Sequence, residues 1–295
     1  MILVLLIGNA FSFIISKYDP NLLSGQKEIS GFLKDHSKTV DVKSFGDISI
    51  ITYNMEKKTH FNSNEQTNDL IKLIDNTHVP ILCLQEVDED QLKDLRSRIL
   101  PHYGIVEGET SKVISPTNGN TTFDPILYDT EELRVLNSGV FKTNDTLVKN
   151  AFASWALFKM IKKDIEFIVI NINLYSTKSL VDSLELSSIL YDINNTEAIK
   201  NKVIIMGGTI NALSDNTKTL LNKKFVKLSN FNKSENESKN TMNTYMDVRN
   251  NTERDYIVAL NTSTMKVQPV YSAVLRKFKN GARFPVHSIA NLASN

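Results

Sequence analysis

Along the first part of the chain, hydrophobic and polar positions follow two periodicities in turn, one that predicts strands and one that predicts helices. The run Ile48–Tyr53 is rich in β-branched and aromatic residues and is followed by an asparagine, which is typical of a strand. Residues 65–76 place leucines and isoleucines at helical spacing. Residues 80–87 form a short continuous apolar run, as in a buried strand. Residues 89–100 are helical again and end before Pro101.

Further along the chain, strand-like runs outnumber helical ones. Residues 229–252, rich in Asn, Ser and Lys, predict a long loop, and the residues after 272 also resemble a loop. An early βαβα order followed by a strand-rich middle predicts a mixed α/β sandwich. Helices are predicted over 180–191 and around 217–221, and strands are predicted over 126–128, 133–141, 154–160, 166–173, 202–206, 255–260 and 264–272.

The first sixteen residues differ from everything that follows. Residues 1–16 carry no charge and are mostly apolar, but a membrane helix needs ~20 residues. The length and small residues of this segment fit a signal peptide, although the usual Lys or Arg at its start is missing. We therefore expect a signal peptide over 1–16, a polar leader over 17–45 and one domain over 46–295. A buried first strand and a membrane anchor are the alternatives.

The sequence contains seven N-x-S/T sequons, from Asn120 to Asn261, which are relevant if the chain is secreted. In a secreted chain these are plausible glycan sites on surface loops, which makes a glycoprotein the expectation. Asn is abundant in the sequence, so the sequons alone are weak support for secretion. No stable membrane span is expected, and we expect a monomer.

Composition and charge exclude several classes of protein. The 295 residues include 34 Lys+Arg and 33 Asp+Glu, so the formal net charge of +1 excludes gross electrostatic attraction to nucleic acid. A local basic groove is compatible with this balance. The single cysteine, Cys83, excludes an intrachain disulfide framework and a Cys-rich metal site. It lies in an apolar run and is expected to be a core residue.

Polar residues recur at the ends of the apolar runs. In α/β proteins, ligand-binding groups gather at strand ends, above all at the carboxyl ends. A single residue of this kind is usually a turn former or a cap, but a series of them predicts a site. The residues concerned are Asn54, Glu86, Asn171, Asn173, Asn211 and Asp255.

The motifs around these residues carry a resemblance to a known family. ITYNM, LQEVD, FDPILYDTEEL, SWALFK, VININ, IIMGGTIN, ERDYIV and PVHSI follow one another in this order. Together they resemble the endonuclease/exonuclease/phosphatase superfamily, over about residues 46–291. The resemblance implies a four-layer α/β sandwich of two packed mixed β-sheets flanked by helices. It also implies metal-dependent phosphodiester or phosphomonoester hydrolysis, with Mg²⁺ or Mn²⁺ as cofactor.

The resemblance assigns roles to individual residues. Glu86 matches the metal-binding glutamate, and Asn54 matches the asparagine that supports the metal and the phosphate. His287 matches the histidine general base, and Asp255 matches the aspartate that holds it. Two asparagines match groups that contact phosphate oxygens as charge develops, namely Asn171 and Asn211.

Three positions depart from the family pattern, and each loses an ionisable group. Asn173 stands where the family has a histidine, and an amide cannot transfer a proton near neutral pH. Thr209 and Val286 stand where the family has aspartates. Metal affinity should therefore be weakened, because Mg²⁺ usually takes one or two carboxylates together with substrate phosphates.

These departures predict a degenerate family member, which is weakly active or inactive and acts by binding. The expected ligand bears a phosphate, as a nucleic acid, a phospholipid or a phosphoinositide does, and a protein partner is also open. One alternative is an active Mg²⁺-dependent hydrolase with a rearranged site. Another alternative is a glycosylated surface or effector module that uses the 229–252 loop.

Overall fold

The computed structural model describes most of the domain and none of the segment before residue 47. The predicted signal peptide, the predicted leader, Asn211 and the 229–252 loop lie outside the described residues. Described are residues 47–55, 63–99, 101–106, 113–114, 121–142, 152–174, 179–197, 199–210, 219, 221, 223–228, 255–274 and 285–294.

Three helices and fifteen strands make up the described part of the domain. The helices are α1 (Ser63–Thr77), α2 (Glu89–Arg98) and α3 (Ser179–Asn195). The strands are β1 (Ile48–Asn54), β2 (Ile81–Gln85), β3 (Val87–Asp88), β4 (Tyr103–Val106), β5 (Val113–Ile114), β6 (Thr121–Phe123), β7 (Ile126–Asp129), β8 (Leu133–Lys142), β9 (Phe152–Met160), β10 (Glu166–Leu174), β11 (Val203–Ile210), β12 (Val226–Lys227), β13 (Asp255–Leu260), β14 (Met265–Val274) and β15 (Val286–Ser294).

The strands form two mixed six-stranded sheets and one small sheet. The first sheet has the order β14-β15-β1-β2-β7-β4, and the second has the order β12-β13-β11-β10-β9-β8. Each contains one parallel pair, β1–β2 in the first sheet and β10–β11 in the second. The small sheet has the order β3-β6-β5.

The two large sheets pack face to face around an apolar layer. Alternate residues of each strand supply this layer, because side chains of a strand point to opposite faces in turn. Ile50 and Cys83 reach it from the first sheet, and Phe158, Val169 and Ile205 reach it from the second. Cys83 is buried there as a free thiol, as expected for a core residue.

The helices cover the outer faces of both sheets. Leu73 of α1 and Leu92 of α2 pack with Ile51 of the first sheet, and Ile189 of α3 packs with Ile170 of the second. These layers confirm the predicted four-layer α/β sandwich. No helix in the described part of the chain is both long and apolar enough to cross a membrane.

Local sequence explains where α2 begins. The Asp88 carboxylate accepts the Gln91 backbone N–H at 2.7 Å, and the Gln91 side chain accepts the Asp88 N–H at 3.0 Å. This reciprocal capping satisfies two N–H groups at the helix start. Asp94 and Arg98 add an ion pair one helical turn apart.

Two sequence expectations are corrected by the structure. The segment after residue 272 was expected to be a loop, but β15 is a nine-residue strand paired with both β1 and β14. The polar residues in VHSIANLAS hide its pattern, and its place in the sheet comes from a partner at the other end of the domain. The apolar run 80–87 is not one strand, because it breaks at Glu86 between β2 and β3.

Candidate functional site

The candidate site lies between the two sheets, at the carboxyl ends of their parallel pairs. Asn54 ends β1 and shares a face with the core residues Ile50 and Thr52. Thr209 lies near the end of β11 and pairs in register with Asp255 at the start of the antiparallel strand β13. The period of two places all of these side chains on the faces that look toward the opposite sheet.

A chain of hydrogen bonds links the two sheets at this point. Asn54 Nδ2 donates to Glu86 Oε1 at 2.7 Å and to Thr209 Oγ1 at 3.2 Å. The Thr209 hydroxyl in turn donates to Asp255 Oδ1 at 2.7 Å. The structure therefore joins the predicted residues Glu86, Asn54 and Asp255, with Thr209 as the connecting group.

Glu86 adopts a left-handed backbone conformation, with φ of 59°. A residue other than glycine pays conformational strain there, and such strain tends to occur at functional sites. The turn at Glu86 ends β2 and carries the side chain into the space between the sheets. Its side chain is buried and its backbone N–H donates to Asp124 Oδ1 at 2.8 Å.

Asp124 belongs to the same group, although no sequence motif assigned it a role. Its Oδ1 also accepts Asn173 Nδ2 at 3.1 Å, so Asn173 contacts a carboxylate from the position where the family has a histidine. Burial raises the pKa of the Asp124 carboxyl to about 7, and the hydrogen bonds from Glu86 and Asn173 oppose that rise. The sequence signal was an acidic residue at the start of an apolar strand, in the FDPIL segment.

Asn171 has a different place from the one expected. Its Nδ2 donates to the carbonyl oxygens of Leu84 at 2.7 Å and Pro125 at 3.0 Å, while its Oδ1 accepts Gln85 Nε2 at 2.7 Å. The side chain is fully buried. Both amide hydrogens are thus donated to the main chain of the first sheet, so Asn171 joins the sheets instead of presenting N–H groups to a phosphate.

His287 also departs from its expected place. It pairs in register with Ile51, whose side chain faces the helices. Its Nε2 lies 2.8 Å from Ser49 Oγ on that same face, and burial lowers its pKa to about 4. The backbone of the first sheet therefore separates this imidazole from Asp255, so the expected histidine–aspartate pair is not brought together.

The neighbours of His287 follow the same alternation. Val286 faces the second sheet, is buried and pairs with Thr52, so an apolar side chain occupies the inward position at the start of β15. Among the described residues, no group of three or more His, Cys, Asp and Glu side chains is placed to hold a metal ion. Asn211, the remaining predicted site residue, is outside the described part of the chain.

Comparison with known proteins places this arrangement in a known fold. No protein-family model matches the chain. An uncharacterised protein of Encephalitozoon cuniculi (strain GB-M1) is 27% identical over 270 residues, which are 90% of this chain and 85% of that protein. The endonuclease/exonuclease/phosphatase from Bacteroides vulgatus superposes with a TM-score of 0.67 at 16% identity, over 83% of this chain and 99% of that one. The chain has the endonuclease/exonuclease/phosphatase fold.

Two further structures of this fold carry more specific names. Mannosyl-6-phosphatase of Bacteroides thetaiotaomicron has a TM-score of 0.65 at 16% identity, over 84% of this chain and all 100% of that one. TDP2 of D. rerio, in complex with a single-strand DNA product, has a TM-score of 0.66 at 16% identity, over 83% and 98%. The predicted resemblance is therefore confirmed at the level of the endonuclease/exonuclease/phosphatase fold.

Proposed function

We propose that the protein binds phosphate-bearing ligands at this inter-sheet site and hydrolyses them weakly or not at all. The observation that carries the proposal is the place of Thr209. Its hydroxyl lies between Asn54 and Asp255, where the family pattern calls for an aspartate. A hydroxyl offers a hydrogen bond to each neighbour but supplies neither a carboxylate for a cation nor a base for water.

Proton transfer is the step that the described residues support least. Losing one positioned proton-transfer group costs ~10²–10⁴ in rate. Asn173 supplies an amide at one expected position, and His287 faces the helices. Both changes act on the same chemical step, so their effects on the rate do not simply add. Ligand binding is then the main function left to the site.

A weakly held Mg²⁺ or Mn²⁺ ion would take the Glu86 carboxylate as its protein oxygen ligand, while the Asn54 amide presents Nδ2 to that carboxylate and to Thr209. Asn54 fixes the direction of that carboxylate through the 2.7 Å bond to Oε1. When bound, the ion would neutralise phosphate charge in a site whose described ionisable groups are acidic. The remaining ligands would be water and phosphate oxygens, which is the arrangement that Mg²⁺ commonly takes.

The ligand class is supported by the neighbours of the same fold. Their names include a phosphatase acting on a sugar phosphate and a protein holding a single-strand DNA product. Both ligands carry a phosphate on a larger organic group. We take a phosphate ester as the shared chemistry and leave the organic group to be found by binding assays.

The test compares the natural chain with a reconstructed site. Thr209→Asp and Asn173→His restore the two family groups on β11 and β10, and turnover is measured on phosphodiester and phosphomonoester probes with Mg²⁺ or Mn²⁺. We expect the natural chain to bind inorganic phosphate in the presence of Mn²⁺ with turnover close to background, and the double variant to hydrolyse faster. Metal-dependent turnover by the natural chain at ~1 s⁻¹ or more, lost in Glu86→Gln, would establish the active-hydrolase alternative instead.

Secretion is part of the proposal and rests on residues 1–16. The apolar, uncharged segment and the sequons fit a chain that enters the secretory pathway. Expression in a eukaryotic host should give a secreted, monomeric chain that lacks residues 1–16 and becomes smaller after glycosidase treatment. An intact N-terminus on an intracellular product would contradict secretion without affecting the ligand-binding proposal.

A 229–252 deletion that abolished protein binding would favour the effector alternative.

A further inference from the structure

One carboxylate oxygen connects two site residues that come from different sheets. Asp124 Oδ1 accepts the Glu86 backbone N–H at 2.8 Å and Asn173 Nδ2 at 3.1 Å. Glu86 follows β2 of the first sheet, and Asn173 lies on β10 of the second. A displacement of this oxygen would therefore change the positions of both the Glu86 backbone and the Asn173 amide.

The segment that carries Asp124 is itself anchored to both sheets. The Asp124 carbonyl oxygen accepts the Ser154 hydroxyl of β9 at 2.7 Å. The next carbonyl oxygen, of Pro125, accepts the Leu84 N–H and Asn171 Nδ2, each at 3.0 Å. Asp124 is 1% exposed, so water competes little for these bonds.

Glu86 requires such an anchor more than its neighbours do. Its φ of 59° is unfavourable for a residue with a Cβ atom, and the surrounding structure must hold it there. The hydrogen bond to the Asp124 carboxylate fixes the backbone, and the Asn54 amide fixes the side chain.

We propose that Asp124 is a positioning residue of the site, which holds Glu86 in its left-handed conformation and sets the orientation of the Asn173 amide. The inference rests on the proposed function, because it treats Glu86 as the carboxylate that holds the cation. Residues behind a metal ligand commonly govern its affinity without touching the ion. Asp124 would act in this way through the backbone of Glu86.

A first measurement examines the backbone and needs no ligand. Asp124→Asn and Asp124→Ala are compared with Ser154→Ala, which removes a buried hydrogen bond to the same residue but keeps the carboxylate. NMR chemical shifts report φ at residue 86, and hydrogen exchange reports the protection of its amide. At about pH 8, one unit above the pKa of about 7 that burial gives the Asp124 carboxyl, that group is mostly ionised. There we expect Asp124→Ala to lose the left-handed shifts and Asp124→Asn to lower amide protection about tenfold, since one charged acceptor becomes neutral. Ser154→Ala should keep both signals.

A second measurement examines the cation site with Mn²⁺ alone as the probe. We expect Asp124→Asn to weaken Mn²⁺ binding ~10-fold, within the range for partners behind a ligand, while Ser154→Ala leaves it unchanged. In the Glu86→Gln background the same Asp124→Asn change should have little further effect, because it acts through Glu86. A purely structural role would lower stability without producing this dependence.

The outcomes separate the positioning role from the proposed function. If the natural chain binds neither Mn²⁺ nor phosphate, the proposed function fails, and the backbone measurement still decides the role of Asp124. If residue 86 keeps its left-handed shifts and its amide protection in both Asp124 variants, the positioning role is wrong. Should Asp124→Ala fail to fold, the Asp124→Asn variant, which preserves the shape of the side chain, decides the question.

Discussion

The Nε2 atom of His287 lies 2.8 Å from the Oγ atom of Ser49, on the face of the first sheet that the helices cover. The pair is buried, with His287 only 1% exposed. An imidazole in this environment stays neutral, because burial disfavours its charged form and lowers its pKa to about 4. The bond is therefore one between two neutral groups in the core.

This burial predicts a dependence of stability on pH. In the unfolded chain the imidazole takes up a proton near its ordinary pKa of 6.5, but in the folded chain only near 4. Between these values the unfolded state binds more protons, so stability is full above 6.5 and declines as the pH falls toward 4. The loss should approach about 3 kcal/mol. Urea unfolding at a series of pH values measures it.

The matched variant for this prediction is His287→Gln, which keeps a neutral polar group near Ser49. The difference between the natural chain and the variant isolates the imidazole. That difference is needed because Asp124 acts in the opposite sense, since its raised pKa lowers stability as the pH rises from 3.8 to about 7. Parallel stability curves for the natural chain and the variant would show that His287 is not protonated differently in the two states.

The placement of His287 also explains why the sequence could not fix its role. Side chains of a strand alternate between two faces, so a motif shifted by one residue turns every side chain to the other face. The family pattern placed a histidine in PVHSI, but only the pairing of β15 with β1 reveals that His287 shares a face with Ile51. That pairing joins residues 236 positions apart, since 287 − 51 = 236, and no local pattern contains it.

Thr209 should be essential for the stability of the site. Replacing it with valine removes the hydroxyl that serves both Asn54 and Asp255 while nearly preserving the volume. Leaving a buried acceptor without its donor costs about 1–3 kcal/mol. Thr209→Ser keeps the hydroxyl and loses only a methyl group, so we expect it to cost less. Equal losses in chemical denaturation would mean that the hydroxyl is unimportant.

Phe158 should carry much of the packing between the sheets. Its ring is fully buried, with ring centroids of Tyr128 and Phe167 at 5.3 and 6.0 Å. Phe158→Ala would leave a cavity between two sheets that cannot easily collapse, at a cost of about 3–5 kcal/mol. Ile161→Ala, close by along the chain but 54% exposed, is the control, and we expect a change of no more than about 0.5 kcal/mol. Comparable losses in thermal unfolding would contradict the packing argument.

The elements that depend on local pattern were predictable, and those that depend on distant partners were not. The spacing of apolar residues in 65–76 and 180–191 locates α1 and α3 to within a few residues. By contrast, β15 becomes a strand through its partners in the sheet, and Glu86, where the apolar run breaks, donates its backbone N–H to Asp124, 38 positions away. Asp124 could therefore be placed in the site only from the structure, because its contacts are with residues that are distant in sequence.

Asn171 should be more important for stability than a surface amide that makes the same type of bond. Its side chain accepts one hydrogen bond and donates two between the sheets, and all its partners are main-chain atoms or a buried glutamine. Asn171→Ala would remove these hydrogen bonds in a buried place, where water cannot replace the lost side chain. We therefore expect the free energy of unfolding in urea to fall by about 3 kcal/mol. The control is Asn195→Ala, because Asn195 donates to the Tyr191 carbonyl oxygen at 2.7 Å on an exposed helix face. The control should change stability by no more than about 0.5 kcal/mol. If Asn171→Ala were as mild as the control while phosphate binding was lost, Asn171 would be a ligand contact, as the family resemblance first implied.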